Sequence, residues 1–147
     1  QFPLNDKKNE YLKLKEGSFI EGGALNTFGE EFDYEGKDFK EKNSYKVFGT
    51  SIDHLIKEQI LDIPDFIKID VDGIEHLILD GGKDLLKEKK LKSIQIELNE
   101  NFELQHKSCS ETLISSGFKL KSKNLASTRR NKSQRFSKMY NCVFERI

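Results

Sequence analysis

The sequence predicts an α/β domain whose sheet is mostly parallel and closes with an antiparallel terminal hairpin. Three observations carry this. "FIKIDV", with an apolar run from Phe66 to Ile69 ending in Asp70, reads as a buried strand. "SIQIEL", residues 93–98, is a second β-rich strand. The helical pattern between them implies a parallel pair joined by a crossover. "FKLKSK" and "MYNCVFERI" then read as two strands separated by a polar loop, hence a hairpin at one edge.

The elements follow in chain order. Residues 1–50 carry glycines at 22, 23, 29 and 36 and read as an irregular, β-rich segment. Within it, "EYLKLKEG" alternates Leu12 and Leu14 with polar residues, and "YKVFG" is another short strand. Thr50 with Asp53 forms a capping signature. Ile52, Leu55, Ile56 and Ile60 then sit at helical spacing, predicting a helix over 51–61 that Pro64 prevents from continuing. "EHLILDGGKDLLKEKK" reads as helix, glycine break, helix; "CSETLISSGF" reads as a helix closed by Gly117. Residues 51–147 therefore run α-β-α-β-α-β-β within a single domain spanning 1–147.

The totals exclude several classes. The 147 residues suffice for one domain with a real core. A formal net charge of zero points to neither nucleic acid nor a membrane surface as partner. No apolar run approaches the roughly 20 residues needed to span a bilayer. Cys109 and Cys142 lack metal-type spacing, so the expected setting is a reducing cytoplasm with free thiols.

Function concentrates where the strands end. Ligands of open α/β sheets sit at the carboxyl ends of the strands. The first strand delivers Asp70, Asp72 and Glu75 there; the second delivers Glu97, followed by Asn99 and Glu100. Carboxylates in one crevice can act as a general base, bind sugar hydroxyls, hold a cation or hold Mg²⁺. Asp72 and Glu75 also lie where a helix begins, so capping is the competing role for them. His76 follows at the same helix start and can reach the crevice as a base. His54 is expected on a helix surface. Residues 119–138 carry eight Lys or Arg and no acid, which reads either as a solvated loop or as a clamp for an anionic acceptor.

"IKIDVDGI" also looks like the Asp-x-Asp-Gly-Thr signature of haloacid dehalogenase-type phosphatases, with Asp70 as nucleophile and Asp72 as acid/base. Ile74 stands where that signature has Thr, and the motif falls in mid-chain. A third possibility is a binding module that kept the sheet without catalysis.

A longer stretch carries a resemblance. "TSIDHLI…IPDFIKIDVDGIEHLILDGGKDLL…LKSIQIELNE" resembles the FkbM-type family of S-adenosylmethionine-dependent methyltransferases. Thr50, Asp53 and Leu55 match its Thr-x-x-Asp-x-Leu segment. Lys68, Asp70, Asp72, Gly73 and Glu75 match its central motif. Leu79 with Gly81 matches the following step, and Glu97 with Leu98 the next strand end. The resemblance implies the C-terminal half of a Rossmann-like class I methyltransferase sheet, its fourth to seventh strands at 66–71, 93–98, 117–122 and 139–146. It implies methyl transfer from S-adenosylmethionine to a hydroxyl of a sugar or secondary metabolite. Asp70 and Glu97 would be catalytic, Asp70 also facing the cofactor, with Asp72, Glu75, His76 and Asn99 on the acceptor; no metal is assigned. The family's glycine-rich cofactor loop and its ribose-gripping acid have no match, so the chain reads as a partial domain. A half-sheet exposes an edge through which the chain is expected to associate with itself.

Overall fold

A computed structural model describes residues 2–18, 24–126 and 136–147. It is an α/β fold with two sheets. β1 (Glu10–Glu16), β2 (Thr27–Phe28) and β3 (Asn43–Gly49) form an antiparallel sheet in the order β2-β1-β3. Gly22 and Gly23 lie outside the described residues, as do residues 127–135 of the basic stretch. There follow α1 (Ile52–Lys57), β4 (Phe66–Ile69), α2 (Glu75–Asp80), a 3₁₀ turn (Leu85–Lys87), β5 (Ser93–Asn99), α3 (Glu103–Ser115), β6 (Phe118–Leu125) and β7 (Met139–Arg146).

The second sheet has the order β4-β5-β7-β6. β4 pairs parallel to β5, while β7 is antiparallel to both β5 and β6. β4, β5 and β6 thus run one way and β7 the other. Counted by hydrogen-bonded pairs the sheet is mixed, not mostly parallel as the sequence suggested. The terminal hairpin forms, but its second strand lies inside the sheet and its first forms the edge. Composition explains the placement. β7 buries Met139, Cys142 and Phe144, whereas β6 beyond Phe118 is exposed and rich in lysine, which suits an edge.

The alternation of β4 and β5 sorts the two faces. Ile67, Ile69, Ile94, Ile96 and Leu98 turn toward α2 and α3 and form the core with Ile78, Leu79, Leu113 and Phe144. Lys68, Asp70, Gln95 and Glu97 fall on the other face, which stays polar and open.

Three helices differ from expectation, and the one expected after the glycine break is only the 3₁₀ turn Leu85–Lys87. α1 stops at Lys57 because Gln59 takes a left-handed backbone, φ 58°, leaving Ile60 exposed. Its N-cap is Ser51, whose Oγ accepts from His54 N at 3.3 Å. Asp53 instead receives the backbone N–H of Asp84 and Leu85, both at 2.9 Å, and so holds the 3₁₀ turn. α3 begins six residues before the expected Cys109. Its buried stripe is Gln105, Cys109 and Leu113, and a glutamine leads it.

Arg146 clips the end of β7 to the rest of the domain. Its guanidinium donates to the carbonyls of Leu91 (2.8 Å), Leu86 (3.0 Å) and Ser116 (3.3 Å) and lies over the Phe118 ring at 4.2 Å. Arg146→Ala is expected to cost about 2–3 kcal/mol, because several backbone acceptors lose a charged donor together. Arg146→Lys should recover little, since an ammonium lacks the planar fork. Urea denaturation of the two variants measures both.

Candidate active site

The parallel register sets Lys68 beside Gln95 and Ile69 beside Ile96, so Asp70 and Glu97 are the next neighbours across the strand ends. They open onto a cleft of about 500 Å³. Asp70, Asp72 and Glu97 line it together with Lys68, Gln95 and Asn141. Asn141 arrives from β7, whose antiparallel register places it opposite Glu97.

Lys68 Nζ lies 2.8 Å from Asp70 Oδ2. That hydrogen bond, with the charge of Asp70 behind it, raises the Lys68 pKa. Asp70 sits where β4 has ended and remains open to solvent, whereas Glu97 is buried within β5. Asp72 has a left-handed backbone, φ 60°, and its Oδ2 accepts from Leu25 N at 2.7 Å. One carboxylate oxygen of Asp72 thus fastens residues 24–25 over the cleft, a role between the binding and capping expected for it.

Glu75, His76 and Asn99 do not join this cleft. Glu75 is 1 % exposed. Its Oε1 accepts from Val71 N (3.1 Å) and Gly73 N (3.3 Å); its Oε2 accepts from Gly73 N (3.1 Å) and Gln105 Nε2 (2.7 Å). It closes the turn that presents Asp70 and Asp72. Asn99, also buried, donates to Tyr34 O at 2.9 Å and accepts from Asn101 N at 3.0 Å. Gln105 ties the two together, accepting from Asn99 N (3.1 Å) and donating to Glu97 O (3.1 Å) as well as to Glu75. A buried polar network therefore locks the β4–α2 turn to the end of β5. His76 stacks on Phe32 (6.1 Å between centroids) and meets the edge of Phe102 (5.9 Å), its Nδ1 without a hydrogen-bond partner among the described residues.

Sequence reasoning missed Gln95, Asn141, Gln105 and Tyr34. Gln95 was findable, because strand alternation puts it on the face of Glu97. The others reach the site through contacts distant in sequence. His54, expected at the surface, is partly covered and meets Asn9 at 2.7 Å.

Burial raises the Glu75 pKa, opposed by its hydrogen bonds, and burial lowers that of His76, opposed by Asp80 and Asp6. The two act oppositely on stability. The folded protein resists protonation at His76, so its contribution is present above the ordinary value of 6.5 and is lost as pH falls through the lowered folded value. The folded protein retains a proton at Glu75, so its contribution is present below 4.5 and is lost as pH rises through the raised folded value. Removing the imidazole in His76→Leu is expected to flatten the loss of stability below pH 6.5, measured by urea unfolding across a pH series.

Among the described residues, no three His, Cys, Asp or Glu side chains are arranged to hold a metal ion, and no helix is long and apolar enough to cross a membrane. The cleft's carboxylates and amides suit hydroxyls and a cationic centre. Gly73, the glycine of the turn, is packed against the backbone of Tyr34 and forms no cradle for a nucleoside.

Fold and cleft together define an α/β domain that presents acids at adjacent strand ends. The chain belongs to the methyltransferase FkbM domain family, whose model matches residues 4–120. No curated protein and no solved structure matches it.

Proposed function

We propose that this domain serves methyl transfer from S-adenosylmethionine to a hydroxyl oxygen of a sugar or other small hydroxylated metabolite, in the cytoplasm. The observation that carries the reading is the placement of Asp70 and Glu97 side by side above an open polar cleft, in a chain of this family. The strand order β4-β5-β7-β6, with β7 alone reversed, supports reading the sheet as the C-terminal half of a Rossmann-like one. Two buried, unpaired cysteines suit a reducing compartment.

The bound cofactor would supply an electrophilic methyl group on a sulfonium. The work of this chain is to bind the acceptor and take its proton. Gln95 and Asn141 offer amides to acceptor hydroxyls. Glu97, shielded by the strand it sits in, accepts the proton from the reacting hydroxyl. Asp70, paired with Lys68, stands at the mouth of the cleft where a carboxylate favours the positive charge of the donor. The phosphatase reading draws no support from Asp72, whose carboxylate is engaged by Leu25 N.

The test is transfer of a labelled methyl group from S-adenosylmethionine to a panel of monosaccharides and glycosides, using protein expressed from its full coding sequence. An alkali-stable methyl ether on one acceptor supports the reading. Absence of both transfer and cofactor binding by calorimetry overturns it.

A further inference from the structure

We infer that a hollow adjoining the cleft, walled by Phe39, is a second sugar subsite. The acceptor is then a neutral glycoside of at least two rings, with the reacting ring at Glu97 and the next ring on Phe39. The identity of the reacting ring rests on the proposed methyl transfer; the hollow is argued from its own residues.

The hollow measures about 480 Å³ and the cleft about 500 Å³. Each falls within the roughly 300–1,000 Å³ of small-ligand sites. Ala24 lines both. The hydrogen bond from Leu25 N to Asp72 Oδ2, 2.7 Å, joins a residue of the hollow to one of the cleft. The wall is preformed. Asp33 Oδ1 accepts from Glu35 N (2.8 Å) and Lys37 N (3.0 Å), and Asp33 N donates to Lys37 O (2.7 Å), which closes a turn. Phe39 N donates to Glu31 O at 2.8 Å and fixes the chain as it returns. The turn is seated on β5 and α3, away from the free side of β4. Asn99 Nδ2 donates to Tyr34 O at 2.9 Å, and Gly36 lies so close to the Phe102 ring that no Cβ would fit.

The chemistry of the lining selects the ligand. Phe39 is half-buried, and Gly17 stands at the tip of its ring, where an added Cβ would lie 3.7 Å from Cζ. As glycine it leaves that space open. Around the ring are Asp33 and Asp38, Lys37 and Lys40, two acids and two bases. Lys37 is already paired with Glu35 at 2.8 Å. An anionic ligand calls for a surplus of positive charge, which this lining lacks. A pyranose presents C–H groups on its faces and hydroxyls around its rim. An aromatic ring suits the faces. Exposed donors and acceptors, Lys40 and Asp38, suit the rim. The cleft offers the same hydroxyl chemistry through Gln95, Asn141 and Glu97. A monosaccharide in the cleft leaves the hollow unused, whereas a glycosidic link beside Ala24 engages both.

The test is binding, by calorimetry and saturation-transfer NMR, of methyl hexosides, the corresponding neutral disaccharides and hexose phosphates to protein expressed from its full coding sequence. The expected result is a neutral disaccharide that binds about tenfold or more tighter than either of its single rings, with saturation on both rings. Phe39→Leu keeps apolar contact but removes the ring, and should weaken that disaccharide about threefold to tenfold while leaving the methyl hexoside within about twofold. Phe39→Trp should retain the preference. Asp38→Ala, at an exposed position, should give the same selective loss without disturbing packing. Urea midpoints equal to that of the parent show that the variants fold. No disaccharide preferred to its single rings overturns the inference. So does a preference unchanged in Phe39→Leu and Asp38→Ala, or tighter binding of a hexose phosphate. Methyl transfer to hexosides alongside any of those results leaves the proposed reaction standing and removes the second subsite. The selective losses without methyl transfer to any bound sugar support the subsite and overturn the proposed reaction instead.

Discussion

Gly73→Ala is expected to remove about 3–5 kcal/mol of stability, a large share of what a domain of this size has. Two penalties fall on one atom. The backbone at 73 has φ 114°, which side-chain-bearing residues rarely adopt. An added Cβ would also lie 2.8 Å from the Cα of Tyr34, and a backbone cannot swing aside as a side chain can. Relief would require moving the Tyr34 segment, which Asn99 grips, or opening the turn whose amides Glu75 holds. Gly117 provides the control. It too has positive φ, 83°, but the nearest atom to its added Cβ is Arg146 Nη1 at 3.9 Å, an ordinary van der Waals contact. Gly117→Ala should cost only about 1–2 kcal/mol, the conformational penalty alone. Guanidinium denaturation of the pair separates strain from collision.

Glu97→Gln is expected to lower kcat for methyl transfer by about 10²–10⁴-fold while leaving acceptor KM within a few-fold. The amide keeps the shape and the hydrogen bonding of the side chain but cannot take a proton. In the variant, the acidic limb of the pH–rate profile should disappear, because the group whose ionisation creates it is gone. Asp70→Asn should act differently. Lys68 loses its charged partner, and the cleft loses a negative charge at its mouth, so kcat/KM falls chiefly through binding while the acidic limb persists. If the limb disappears in Asp70→Asn and survives in Glu97→Gln, the two roles are exchanged. If neither substitution changes kcat or kcat/KM beyond about twofold, the cleft is not the reaction site.

Much of this arrangement was legible in the chain because it depends on short-range pattern. The alternation of Ile67 and Ile69, and of Ile94 and Ile96, announced both strands, and the abrupt change to Asp70 announced where the first of them stops. What could not be read depends on partners far away in sequence. Asp53 looks like a cap for its own helix, yet its carboxylate serves amides at 84 and 85. Glu75 looks like one more acid of the crevice. Only Gln105, thirty residues on, shows that it faces inward. Strand order was equally hidden, since nothing local in "MYNCVFERI" says that it will lie between its neighbour and β5. The start of α3 was missed for a simpler reason: an apolar stripe that begins with glutamine gives hydrophobic periodicity nothing to detect.

The placement of β7 has a consequence for how the protein is made. β6 leaves the ribosome first but has no seat beside β5, because the strand that belongs between them has not yet been translated. Until Met139–Arg146 emerges, the β5 edge and the inner edge of β6 are both open, and Ile94, Ile96 and Phe118 lack the cover of Phe144. Nascent chains are therefore exposed to mispairing during synthesis, and a chaperone that shields β-edges would act on this interval. A translational pause over residues 126–138 would lengthen the hazard, and fast decoding there would shorten it.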